Sequence, residues 1–125
     1  MKTDRELLEL AAKAAGMTGW RYEGPITGLV KMINPDNPEN TGSVGNAWNP
    51  LFDDGDALRL AVALRFSVFA GCDWCTVRGG TKKVKSDTRF KIEEHIGWDE
   101  YDRRDRAGAT RRAITRAAAA IGERE

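Results

Sequence analysis

The chain has 125 residues, 41% hydrophobic and 31% charged, with 20 Lys+Arg against 19 Asp+Glu for a formal net charge of +1. That balance excludes a disordered chain and removes the basic excess expected of a general nucleic-acid binder. Two cysteines are too few for a disulfide framework, no apolar run nears the roughly 20 residues of a membrane helix, and Met1-Lys2-Thr3-Asp4-Arg5-Glu6 lacks a signal-peptide core. The expectation is one cytoplasmic domain over residues 1–125 with no membrane partner.

Thr3 and Glu6 form a T-x-x-E capping box, and Leu7, Leu10, Ala11 and Ala14 recur at helical spacing. Gly16 supplies a stop, which predicts a helix over 4–15. Trp20-Arg21-Tyr22 and Gly28-Leu29-Val30-Lys31-Met32-Ile33 read as two short strands around the Gly24-Pro25 turn. Residues 34–50 are almost pure turn chemistry at first, Asn34-Pro35-Asp36-Asn37-Pro38-Glu39-Asn40-Thr41-Gly42-Ser43. A polar loop of this length inside a domain is either functional or disordered.

The loop ends in Trp48-Asn49-Pro50-Leu51, after which Asp53, Asp54 or Asp56 can cap a second helix near 55–65. Phe66-Ser67-Val68-Phe69-Ala70 follows as a strand, Gly71-Cys72-Asp73 turns it into Trp74-Cys75-Thr76-Val77-Arg78, and Arg89-Phe90-Lys91-Ile92-Glu93 alternates like a third. A last helix is predicted near 105–121, with Ile114, Ala117, Ala118 and Ile121 on its apolar side and Gly122 as its stop. The order α-β-β-loop-α-β-β-β-α predicts an α+β, sandwich-like fold: an antiparallel sheet of four to five strands covered by three helices.

The motifs that carry chemistry are few. Cys72-Asp73-Trp74-Cys75 has the spacing of a metal or redox pair, with His95 as the one histidine, but the chain offers no second C-x-x-C and no thioredoxin-like setting. Two unrelated cysteines at a β-turn are the plainer reading. Asp53-Asp54-Gly55-Asp56 lacks the rest of an EF-hand loop and reads as helix capping. No nucleophile–base motif is present, so neither an enzyme nor a cofactor is expected.

Lys82, Lys83 and Lys85, with Arg89 and Lys91, form one basic stretch, and Arg111, Arg112 and Arg116 form another on the last helix. Brought together they would make a pocket suited to phosphates, to which Trp74 or Trp48 would add a stacking surface. Each stretch alone reads as a solvated face, and Trp20 as a core anchor.

The segment Trp48-Asn49-Pro50-Leu51-Phe52-Asp53-Asp54-Gly55-Asp56-Ala57-Leu58-Arg59-Leu60-Ala61-Val62 resembles a W-N-P-L-x-D-D-G-D-A-L-R-L-A-V stretch of small bacteriophage and prophage proteins. The start, Leu7 to Gly16, and the ending, Ala109-Thr110-Arg111-Arg112-Ala113-Ile114-Thr115-Arg116-Ala117-Ala118-Ala119-Ala120-Ile121-Gly122, carry the same likeness, covering about 40 of the 125 residues. The layout is distantly similar to the phage α-β-α sandwich domain. The resemblance implies a phage origin and a small αβ fold, and it transfers no catalytic residue.

Together these readings predict a phage accessory protein of the infected bacterial cytoplasm. Its expected role is non-enzymatic inhibition of host antiviral defence, by binding a defence protein or sequestering an anionic nucleotide signal. The candidate ligand contacts are Trp48, Trp74, Lys82, Lys83, Lys85, Arg111, Arg112 and Arg116. A nucleic-acid-binding regulator is the alternative, disfavoured by the neutral charge and the lack of a helix-turn-helix signature. A small zinc- or thiol-dependent enzyme built on Cys72, Cys75 and His95 is the second. A homo-oligomer stays open.

Overall fold

In the computed structural model, which describes residues 2–17, 20–23, 31–33, 47–71, 74–79, 92–97 and 105–124, Thr3 caps the first helix as its sequence predicts. The reciprocal half of the capping box is replaced by a bond from the Thr3 hydroxyl to Glu6 Oε1. The Thr3 side chain accepts the Glu6 N–H at 3.2 Å, and α1 runs from Asp4 to Ala14. It ends where Gly16 turns left-handed (φ 75°), with the Met17 N–H returning to Ala12 and the Gly16 N–H to Lys13. These two reverse bonds satisfy carbonyls that a helix end otherwise leaves open.

Helix α2 (Asp54–Ala63) is capped by Asp53, whose carboxylate accepts the Asp56 N–H at 2.7 Å. It closes with the same pair of bonds, Phe66 N–H to Ala61 and Arg65 N–H to Val62, but here an arginine takes the left-handed position (φ 59°). Helix α3 (Arg106–Arg124) begins on Asp105, which accepts the Gly108 N–H at 2.8 Å. It does not stop at Gly122 as expected. A Cβ on Gly122 would run into the Leu10 backbone carbonyl, so this glycine is the point where the α1 and α3 backbones come closest. The roughly 1 kcal/mol that a glycine costs inside a helix is offset by that close packing.

The strands are β1 (Arg21–Glu23), β2 (Lys31–Ile33), β3 (Ala47–Trp48), β4 (Ser67–Ala70), β5 (Trp74–Gly79) and β6 (Ile92–Gly97). Three helices and antiparallel strands make the fold α+β, as expected. Among the described residues the strands sort into two three-stranded sheets, β1-β2-β3 and β4-β5-β6, instead of one sheet of four to five. Strand β3 is new: it closes the polar loop by pairing Trp48 with Met32 and Ala47 with Ile33. Strand β6 begins at Ile92 and runs to Gly97, further along the chain than the alternation at 89–93 suggests. The loop at 34–46 lies outside the described residues.

One cluster joins the three helices to Trp48, β5 and β6. Leu8, Ala11 and Ala12 of α1 meet Ala109, Ala113, Ile114, Ala117 and Ala118 of α3, with Leu60 and Ala61 of α2 alongside and Cys75, Val77 and Ile96 of the sheet beneath. Alanine dominates the helix contacts, so the helices approach closely and a small chain can close its core. Trp20 packs partly buried against this cluster, as a core anchor should.

The alternation of β5 sets the two faces of its sheet. Cys75 and Val77 point to the helices, while Trp74 and Thr76 point away. Through the register, Val68, Glu94 and Ile96 lie on the helix side, and Phe69 and His95 on the outer side. The ion pairs of α3 order the helices. Arg111 reaches Asp54 of α2, whereas Arg112 and Arg116 reach Asp4 of α1 and Glu94 of β6. Helices α1 and α2 therefore flank α3 on opposite sides.

Candidate functional site

The W-N-P-L-x-D-D-G-D segment folds into a knot of local bonds. Asn49 Oδ1 accepts the Leu51 N–H at 3.0 Å, bridging Pro50, and the Asn49 carbonyl accepts the N–H groups of Phe52 and Asp53. The Asn49 N–H in turn donates to Asp56 at 2.9 Å, and Asp56 also holds Arg59 at 2.7 Å. Trp48, 8% exposed, is part of the core cluster, so its ring packs against protein instead of offering a stacking surface.

The arginines of α3 do not act as one group. Consecutive residues of a helix point about 100° apart. Arg111 accordingly turns to α2, where Nε donates to the Leu51 carbonyl at 3.0 Å and Nη1 meets Asp54 at 2.6 Å. Arg112 and Arg116, one turn apart, share the opposite side.

There they line a cleft of about 630 Å³ between α1, α3 and β6, floored by Leu7, Ile96, Ala119 and Ala120. Its walls hold three cations, each matched to a carboxylate: Lys2 with Glu123 at 2.5 Å, Arg112 with Asp4 at 2.8 Å and Arg116 with Glu94 at 3.1 Å. All six groups are partly exposed, so each pair is loosely held and exchangeable. Lys2, Asp4, Glu94 and Glu123 escape a sequence reading. Their partners are far along the chain, and only the packing of α3 against α1 and β6 brings them in.

Trp74 stands on the other face of the sheet. It is exposed, with its ring centroid 5.9 Å from that of His95 in a tilted arrangement. His95 Nδ1 lies 3.2 Å from the Thr76 hydroxyl. The expected pocket joining Trp74 to Arg112 and Arg116 is thus divided by the sheet. Lys82, Lys83 and Lys85 lie outside the described residues.

Cys75 is buried in the core, and burial pushes its thiol pKa up. Because Cys75 faces the helices and His95 faces outward, these two side chains cannot meet on one ion. Cys72 lies outside the described residues. Among the described residues no group of three or more His, Cys, Asp or Glu is placed to hold a metal, and no helix is long and apolar enough to cross a membrane.

Comparison with protein-family models, curated proteins and solved structures finds no match for this chain.

Proposed function

We propose that this protein is a non-enzymatic, phage-encoded inhibitor of host antiviral defence that works by binding a defence protein in the cytoplasm of the infected bacterium. The cleft between α1, α3 and β6 carries the reading. Its three cations and three carboxylates are matched in charge and partly solvated. A protein segment with its own acidic and basic side chains exchanges partners with such pairs one for one, so little charge is left unpaired on docking. A free polyanion has to displace Asp4, Glu94 and Glu123 and then face them. The resemblance in the Trp48–Val62 segment supports the phage context.

One observation favours nucleotide sequestration as a second reading. Arg112, Arg116 and Lys2 all line the cleft, and side chains of this kind make charge-assisted bonds to phosphate.

The test is phage infection of bacteria carrying a panel of defence systems, with and without this protein. Rescue of plaque formation is expected against at least one system, and the double variant Arg112→Ala/Arg116→Ala should lose it while remaining folded. Native mass spectrometry of the recovered protein then separates a bound protein from a bound nucleotide. Absence of rescue across the panel would overturn the proposal.

A further inference from the structure

The outer face of the β4-β5-β6 sheet gathers three aromatic rings, one from each strand. The register sets Phe69 of β4 and His95 of β6 on either side of Thr76 in β5. Strand alternation puts Trp74 on that same face, two residues from Thr76. Phe69 is 59% exposed and Trp74 41% exposed, and His95 is exposed as well. The core lies against the opposite face, through Cys75, Val77 and Ile96, and accounts for none of the three. Scattered apolar side chains on a surface need no explanation, but rings gathered on one face point to something bound there.

The rings are held in place by their neighbours. The Trp74 and His95 centroids lie 5.9 Å apart. The Thr76 hydroxyl lies 3.2 Å from His95 Nδ1, which fixes the imidazole and leaves Nε2 as its second hydrogen-bonding atom. The Phe69 ring sits over Gly71, where a Cβ would stand 2.7 Å from it. Because the Gly71 N–H donates to the Trp74 carbonyl at 2.8 Å, Phe69 leans toward the Trp74 end of the sheet. From Phe69 to His95 the platform spans two strand spacings, about 10 Å, which accommodates two splayed bases.

Charge says which planar ligand suits the face. Strand β5 ends at Gly79 and β6 begins at Ile92, so the chain between them leaves and rejoins the sheet at one end. Its twelve residues carry five cations, Lys82, Lys83, Lys85, Arg89 and Lys91, against one carboxylate, Asp87, in a chain of formal net charge +1. An aromatic face joined to so local a positive excess complements a polyanion with exposed planar bases. A duplex hides the faces of its bases and cannot stack on the rings. We propose that this face binds single-stranded nucleic acid, with bases stacked on Trp74 and Phe69 and His95 Nε2 offering a hydrogen bond beside them. The site itself is Phe69, Trp74, Thr76 and His95. The charge-matched cleft lies on the helix side of the sheet, so this binding does not depend on what that cleft holds.

Fluorescence anisotropy of labelled oligo(dT) and oligo(U), each about ten nucleotides long and titrated with the full chain to about 200 µM, reads the binding. Both single strands should bind, more weakly as salt rises, and a duplex of the same length should not compete. Trp74→Ala and Phe69→Ala, both at exposed positions, should each weaken binding about tenfold with unchanged circular dichroism, the worth of one stacked base. Trp74→Phe should restore most of the loss. The cleft variant Arg112→Ala/Arg116→Ala should bind as the wild type does, which separates this face from the cleft. Failure of both strands to bind at the highest concentration overturns the proposal and leaves the face to a protein partner. Equal competition by the duplex overturns it too, as does binding that survives both alanine substitutions.

Discussion

Arg111 ties the last helix to the turn that starts the second one, donating from Nε to the Leu51 carbonyl, 60 residues back in sequence, and from Nη1 to Asp54, 57 residues back. The two bonds differ in worth. Asp54 is largely exposed, so its ion pair contributes at most about 1 kcal/mol. The bond to Leu51 is partly buried, and a charged donor to a buried carbonyl contributes about 1.5–3 kcal/mol. Urea denaturation should therefore show Arg111→Ala costing about 2 kcal/mol and Asp54→Ala well under about 1 kcal/mol. Equal losses would place the energy in the ion pair instead.

Two helix ends share one geometry with different residues, which gives a paired prediction. Arg65 sits at φ 59° where glycine is preferred, so Arg65→Gly should stabilise by about 1 kcal/mol and raise the melting temperature by a few degrees. Gly16→Ala, at φ 75° with open space around it, should cost about 1 kcal/mol from backbone conformation alone. A loss of stability in Arg65→Gly would mean that the arginine side chain contributes more than its backbone conformation costs.

At Gly122 two effects oppose each other. Alanine gains about 1 kcal/mol of helix propensity, but its Cβ meets the Leu10 carbonyl, and forcing the helices apart costs about 1–3 kcal/mol. The steric term should win, so calorimetry is expected to find Gly122→Ala destabilised. An increase in melting temperature would show that α1 shifts freely on α3.

The W-N-P-L-x-D-D-G-D segment should behave as structure. Trp48→Ala is expected to cost about 3–5 kcal/mol, as for a buried aromatic, and Asp53→Ala about 1 kcal/mol, as for a lost cap. Denaturation curves measure both. Unchanged stability in Trp48→Ala would remove this ring from the core.

The Cys75 thiol has its pKa raised by burial, so the folded protein holds this proton more tightly than the unfolded chain. Its contribution is complete below the ordinary thiol value and is lost as pH rises from there through the raised value of the folded state. Peptide mapping after iodoacetamide treatment of native protein at pH 8 should leave Cys75 unmodified, with labelling appearing in denaturant. Rapid native labelling at Cys75 would contradict its burial.

The features legible beforehand were the local ones. Thr3 with Glu6, Gly16 and the Asp53–Asp56 run act within one helical turn, so their spacing carries their roles. Gly122 misleads because a glycine near a helix end looks the same whether it stops the helix or admits a neighbour, and only the distant Leu10 decides. Arg65 gives no signal, because its left-handed conformation serves the two reverse bonds that end α2. The four-residue spacing of Arg112 and Arg116 is itself enough to put them on one helix face. The pairing of Arg112 with Asp4, 108 residues away, depends on helix packing that no local pattern encodes.

The division of Trp74 from Arg116 by the β4-β5-β6 sheet has an experimental consequence. Side chains on opposite faces share no partner, and a layer of backbone separates them, so their substitutions should combine additively to within about 0.5 kcal/mol in any assay of one bound ligand. Trp74→Ala and Arg116→Ala thus form a double-mutant cycle with little coupling. The two surfaces can be altered independently, and a loss confined to either single variant tells an experimenter which side of the sheet a newly found ligand occupies.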